Sequence, residues 1–180
     1  MILIEQIPVL NDNYIYIVVD KLTKKTACVD PAISKKVIDF LEKKNLVLDF
    51  ILNTHHHFDH IGGNLELKKK YNCKIIGNRK DATRIPGIDI LLSEGDKMSI
   101  GRTSFKVLEV SGHTEGHISF YFEKDSALFC GDTLFSLGCG RLFEGSPKQM
   151  VDSLNKIRSL PDKTKIYCAH EYTEANSRFA

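Results

Sequence analysis

The sequence predicts an α/β fold in which sheets are stacked and helices cover their outer faces. Three observations predict it. Strand and helix signals alternate through the first half, strand signals dominate the second half, and no linker, repeat or low-complexity stretch divides the two. Helices on the outer faces of packed sheets are the natural way to bury such a set of elements. A chain of 180 residues can bury about 70% of its unfolded surface in one domain. Residues 1–180 are therefore read as a single domain.

Each element has its own signal. Residues 1–7 and 13–20 are short runs rich in Ile, Val and Tyr, separated by Pro8 and Asn11-Asp12-Asn13, and read as paired strands. Residues 26–29 form a third strand ending at Asp30-Pro31. Ser34 is then expected to cap a helix to about Lys44, with Val37, Ile38 and Leu41 on one face. Residues 49–53 are a buried strand running into Thr54-His55-His56-His57-Phe58-Asp59-His60, and a helix is expected over 61–70. Residues 73–77 are the next strand. The second half supplies strands at 90–92, 98–100, 104–110, 118–122 and 127–130. A helix follows over about 147–160, capped by Ser146, with Pro147 in its first turn and Met150, Leu154 and Ile157 on one face. Residues 165–169 are the last strand.

Composition excludes several classes. Apolar residues make up 42%, charged residues 27%, and the net charge is +2, as in an ordinary soluble protein. The densest basic cluster, Lys68-Lys69-Lys70, reads as a solvated helix face, so no nucleic-acid partner is expected. The five cysteines, Cys28, Cys73, Cys130, Cys139 and Cys168, include no Cys-x-x-Cys pair. They suit neither a disulfide framework nor a cysteine zinc site, and imply a reducing compartment. The first residues do not form a signal peptide, and no apolar run approaches the ~20 residues that span a bilayer. A cytoplasmic monomer without membrane contact is expected.

The histidines are clustered. Four of the seven lie at positions 55, 56, 57 and 60, with Asp59 among them. An imidazole-rich group with one carboxylate suits zinc, copper, iron or nickel. On an extended loop His55 and His57 point the same way, because side chains alternate with period 2. On a helix they would stand about 200° apart and could not share an ion. After a bend, Asp59 and His60 can reach a second ion. His56 alternates off the His55/His57 face and is expected to be structural or to support the ligands indirectly. His113, Asp132 and His170 each follow the end of a predicted strand, where scaffolds of this kind gather ligands on loops. His117 is read as structural. Asp30 is either a turn residue or a carboxylate that orients a ligating histidine.

Residues 54–60 resemble the Thr-His-x-His-x-Asp-His motif of the metallo-β-lactamase superfamily. Ser111–His117, Gly131-Asp132-Thr133-Leu134-Phe135, Gly138-Cys139-Gly140-Arg141-Leu142-Phe143-Glu144-Gly145 and Ala169-His170-Glu171-Tyr172-Thr173 are similar to the glyoxalase II (hydroxyacylglutathione hydrolase) family. Asn11-Asp12-Asn13-Tyr14 and Asp30-Pro31 fit the same family, so the resemblance covers nearly the whole chain. It implies a four-layer αββα sandwich with the site along one edge of the sheets. It implies two divalent metal ions, with zinc the default and iron or manganese as alternatives. His55, His57 and His113 would hold one ion and Asp59, His60 and His170 the other. Asp132 would bridge them, with Asp59 and Asp132 serving catalysis as well. Arg141, Leu142, Phe143 and Tyr172 would contact the glutathione part of a small-molecule thioester. The implied reaction is hydrolysis of S-lactoylglutathione, through a hydroxide bridging the ions, in methylglyoxal detoxification.

Two departures accompany the resemblance. The family continues past His-Glu-Tyr-Thr into a helical region that carries further basic residues, whereas this sequence stops at Ala180. It is read as a short form or a catalytic-domain fragment. Ser111-Gly112 also stands where many members have Thr-Pro. The rival readings are hydrolysis of another thioester, ester or lactone, a single-iron sulfur dioxygenase, a nuclease, and a non-catalytic metal-binding module.

Overall fold

Strand alternation decides the layering, and a computed structural model describing residues 1–180 shows how. β1 (Ile2–Val9), β2 (Asn13–Asp20), β3 (Thr26–Val29), β4 (Phe50–Leu52), β5 (Lys74–Asn78) and β6 (Ile90–Leu92) form a six-stranded sheet in sequential order. The first three strands pair antiparallel and the last four parallel. Helix α1 (Ser34–Lys44) fills the crossover from β3 to β4. Helices α2 (Phe58–Ile61) and α3 (Asn64–Tyr71) fill the crossover from β4 to β5. The second sheet contains β7 (Lys97–Ile100), β8 (Thr103–Glu109), β9 (Ile118–Phe122) and β10 (Ala127–Gly131), all antiparallel. A short hairpin follows, β11 (Leu134–Phe135) and β12 (Gly138–Cys139), then helix α4 (Pro147–Arg158). β13 (Lys165–Cys168) joins β10 in parallel, and helix α5 (Thr173–Phe179) closes the chain.

On β2, Tyr16 and Val18 point into the space between the sheets, where Phe105, Phe120, Phe122 and Phe129 of the second sheet meet them. Ile15, Ile17 and Val19 point the other way, onto Val37 and Leu41 of α1 and Leu67 of α3. On the far side of the second sheet Leu108, Tyr121 and Leu128 pack on Ile157 of α4. Both faces of both sheets are thus covered, which is why β2 and β9 read as nearly continuous apolar runs. The layers are helix, sheet, sheet, helix, as expected. No helix is long and apolar enough to cross a membrane.

Two sequence expectations need correction. Ser34 does not cap α1. It is the first helical residue, Ile33 holds the cap position without a side-chain bond, and the Ser34 hydroxyl donates to Glu66 of α3 instead. The helix expected over 61–70 is two helices with Gly62-Gly63 between them. A Cβ on Gly62 would lie 2.6 Å from the Ala32 carbonyl oxygen and one on Gly63 2.7 Å from that of Pro31. The Gly63 amide donates to the same Pro31 oxygen at 2.7 Å, so tertiary approach interrupts the helix. The hairpin β11–β12 and helix α5 are elements the sequence reading lacks. By contrast, Ser146 caps α4 with a complete capping box to Gln149, as its sequence announces.

Candidate metal centre

Strand ends assemble the site. His55 follows β4, His113 follows β8, Asp132 follows β10 and His170 follows β13. His57, Asp59 and His60 come from the turn into α2 and its first residues, so the bend after His57 re-aims the chain. The structure brings all seven residues together. The ligand atoms of His55, His57 and His113 lie within 4.8 Å of one another, as do those of Asp59, His60 and His170. His55, His60 and Asp132 form a third overlapping group. Asp132 stands between the first two. Its Oδ2 is 3.3 Å from His113 Nε2, and its Oδ1 is 3.5 Å from His60 Nε2 and 3.4 Å from His170 Nε2.

Buried polar atoms are normally paired, yet His55 Nε2, His60 Nε2 and Asp132 Oδ1 are buried and lack a hydrogen-bond partner. Three unpaired lone-pair atoms facing one small space fit a divalent cation, and imidazole with carboxylate is a donor set that such ions accept. The residues therefore fit a metal centre.

The outward nitrogens are held. His60 Nδ1 is 3.1 Å from Asp30 Oδ2, and His170 Nδ1 is 2.7 Å from Asp12 Oδ1. His55 Nδ1 meets the Thr54 hydroxyl at 3.1 Å and His113 Nδ1 the Arg141 carbonyl at 2.7 Å. With Nδ1 as donor in each case, the Nε2 lone pairs point inward. Asp30 itself accepts from the Thr54 amide and hydroxyl at 2.8 and 2.7 Å. Of its two readings from sequence, the orienting one matches these contacts, and φ of +49° makes it a turn residue as well. Asn13 Nδ2 donates to Asp59 Oδ2 at 2.9 Å, so the β1–β2 turn supports both Asp59 and His170. The sequence marks Asp12 and Asn13 as turn residues and as part of a resembling stretch, with no contact to the site assigned to either. Their contact with residues 46 and 158 positions away has no local signature.

The electrostatics divide the cluster. Burial, reinforced by His60, pushes the His55 imidazolium well below its ordinary range, and burial also lowers His57 and His113. Burial opposes charge on His60 and His170 too, but there carboxylates win. Asp132 and Asp30 hold His60 well above the usual value, and Asp132, Asp59 and Asp12 raise His170 to about 10. Asp132 stays well below the carboxylate range despite burial, because His60 and His170 face it. A group rich in carboxylates attracts a cation, here protons, which a metal must displace to bind.

His117 lies outside this set. Its Nε2 accepts from the Asp132 amide at 3.0 Å, burial takes its pKa down to about 3, and its ring stacks on His55. His56 faces away, toward Asp81 and Glu144.

A cleft of about 510 Å³ opens over the cluster. Arg141, Phe143 and Tyr172 line it, together with Phe58, Phe135, Cys139 and Asn176. Leu142 is exposed and does not line it. Tyr172 stacks on His170 with centroids 5.1 Å apart and a 4° interplanar angle. Asn176 escaped the sequence reading because α5 did.

Residues 9–170 match the metallo-β-lactamase superfamily. Over 180 residues the chain is 54% identical to a hydroxyacylglutathione hydrolase from Methylococcus capsulatus, covering all of this chain and 70% of that relative. The chain belongs to the hydroxyacylglutathione hydrolase family of that superfamily. Solved structures of the superfamily share its fold. BLEG-1, a B3 metallo-β-lactamase, superposes with a TM-score of 0.85 at 28% identity, over 94% of this chain and 92% of that one. TTHA1623, solved in a di-iron-bound form, superposes with a TM-score of 0.78 at 26% identity, over 96% of each chain. Among family features, the departure at Ser111-Gly112 leaves the His113 turn intact, with the Ser111 hydroxyl donating to the Glu115 carbonyl at 2.8 Å.

Proposed function

We propose that residues 1–180 act as one catalytic domain, a two-metal hydrolase of glutathione thioesters that converts S-lactoylglutathione to lactate and glutathione. The observation that carries this is Asp132, whose two oxygens face two separate histidine groups. His55, His57 and His113 would hold one ion, Asp59, His60 and His170 the other, with Asp132 shared. Zinc is the default, and iron or manganese suits the same nitrogen and oxygen donors. When bound, such ions supply Lewis acidity that lowers the pKa of water from 15.7 to about 7 and polarises a carbonyl.

The chain's own residues do the rest. Asp12 and Asp30 keep His170 and His60 in the tautomer that presents Nε2 inward. Arg141 offers a cation over the Phe143 ring at the rim of the cleft and binds a substrate carboxylate. Phe135, Phe143 and Tyr172 form apolar walls that hold the acyl and thiol parts against the cluster. The leaving group is a thiolate, whose conjugate acid has a pKa of about 8.5, so departure needs no strong general acid. Accordingly His113 is committed to the Arg141 carbonyl and no Ser–His–Asp triad is required. The same reading places the enzyme in the cytoplasm as a monomer, in methylglyoxal detoxification.

The test is to purify the chain, quantify bound metal, and compare hydrolysis of S-lactoylglutathione with that of a glutathione-free thioester. Close to two ions per chain with turnover of the first alone is expected. Two ions with turnover of neither would reject the substrate, and no bound metal would reject the reading.

A further inference from the structure

Beside the metal cluster lies a second charged group that the hydrolytic reading leaves without a role. Asp81 is fully buried. Its Oδ1 accepts from Arg84 Nε at 2.9 Å and from Arg84 Nη2. Arg84 Nη1 reaches across to Glu144 Oε1 at 2.5 Å. The other Glu144 oxygen accepts from the Glu115 amide at 2.8 Å. The chain Asp81–Arg84–Glu144 thus runs from the segment after β5, under the turn that carries His113, to the loop that carries Arg141 and Phe143. It is closely fitted. A Cβ on Gly116 would collide with the Asp81 carboxylate. His56 stands between the two acids, 3.6 Å from each, too far for a hydrogen bond.

The loop at 140–145 has few other ties. The Arg141 carbonyl accepts from His113, the Phe143 amide donates to the His113 carbonyl at 3.2 Å, and the Gly145 amide donates to the Gly112 carbonyl at 3.1 Å. All three end on the His113 turn. Beside the Phe143–His57 ring contact, the Arg84–Glu144 pair is the hydrogen-bonded tie that reaches beyond that turn, to the segment between β5 and β6. Phe143 is more than half exposed, and its ring meets the edges of His57 and His113, with centroids 5.4 and 5.2 Å away.

We infer that Asp81, Arg84 and Glu144 are positioning residues that set the substrate-facing loop 140–145 relative to the metal cluster, and so govern substrate affinity and not metal content. The inference rests on the proposed thioester hydrolysis for its kinetic consequence, but its structural consequence does not need a substrate. None of the three residues lines the cleft. Glu144→Gln keeps the size of the side chain and can serve only one of its two donors. A hydrogen bond to a charged group is worth enough to shift an equilibrium on the order of tenfold.

The experiment uses the metal-loaded full chain and two readouts. In Glu144→Gln, amide exchange across 140–145 is expected to speed up while that across 54–60 stays unchanged. KM for S-lactoylglutathione should rise about tenfold with kcat and bound metal unchanged. Arg84→Met should act in the same direction, and the double variant should fall short of the sum of the two singles, because both substitutions weaken the shared Arg84–Glu144 pair. Should Arg84→Met fail to fold for want of a partner for Asp81, Glu144→Gln still decides. Unchanged exchange at 140–145, or loss of metal or of kcat in place of the KM effect, overturns the inference. A parent protein without thioesterase activity would overturn the proposed function alone, since the exchange measurement still judges the network.

Discussion

Replacing Asp30 by Asn tests how the cluster is held. Asp30 has φ of +49°, a conformation Asn tolerates, so the backbone should not object. Asn Oδ1 can keep the bond from the Thr54 amide, now 2.8 Å. The new amide group then faces His60 Nδ1 where a carboxylate oxygen stood at 3.1 Å. Two donors cannot share that space, so His60 must turn Nδ1 into an acceptor and carry its proton on Nε2, the atom that faces Asp59 and Asp132. A protonated Nε2 cannot ligate. Loss of such a supporting partner typically weakens metal affinity by 10- to 100-fold, or about 1.4 to 2.8 kcal/mol. The assay is metal retention against increasing chelator, quantified per chain, with circular dichroism as a check on folding. Asp30→Asn should lose one ion at about 10- to 100-fold lower chelator strength than the parent, while the ion assigned to His55, His57 and His113 is retained longer. If the variant is folded and retains both ions at the same chelator concentration as the parent, the tautomer argument is refuted.

Other predictions address the site, the core and the acid limb of stability. His55→Ala should release metal and abolish hydrolysis, read by metal analysis and thioester turnover. Tyr172→Phe should raise KM while leaving bound metal unchanged, since the ring stacked on His170 remains. Phe120→Ala, at a fully buried position between the sheets, should cost about 3–5 kcal/mol, which at about 2–4 °C per kcal/mol lowers Tm by roughly 6–20 °C. Asp20 is held well below the usual carboxylate range by the Thr103 hydroxyl, with burial opposing and the Thr23 amide and hydroxyl assisting. Its contribution is therefore complete above the unfolded value of about 3.9 and disappears as pH falls below it. Asp20→Asn should flatten the loss of stability between about pH 4 and lower pH, measured by urea unfolding. A variant as acid-sensitive as the parent would contradict the assignment.

Much of this protein is legible in its sequence because the relevant signals are local. Period-2 alternation and β-branched runs mark the strands, and Ser146 followed by Pro147 announces α4. His-x-His at a strand end tells that two imidazoles share a side, and clustered histidine beside aspartate names the donor chemistry. Tertiary structure decided what depends on chain segments far apart. The β1–β2 turn supports Asp59 and His170 because the sandwich carries it to the end of β13. Gly62-Gly63 splits a helix because the Pro31 and Ala32 carbonyls approach too closely for a side chain. Asp30 became an orienting group when β3 paired alongside β4 and brought it to His60. Arg84 and Glu144 met across 60 positions. Local propensity acts over a few residues, whereas hydrogen bonds and excluded volume act over a few ångströms. Only the packed sheets turn the second kind of nearness into contacts between distant parts of the chain.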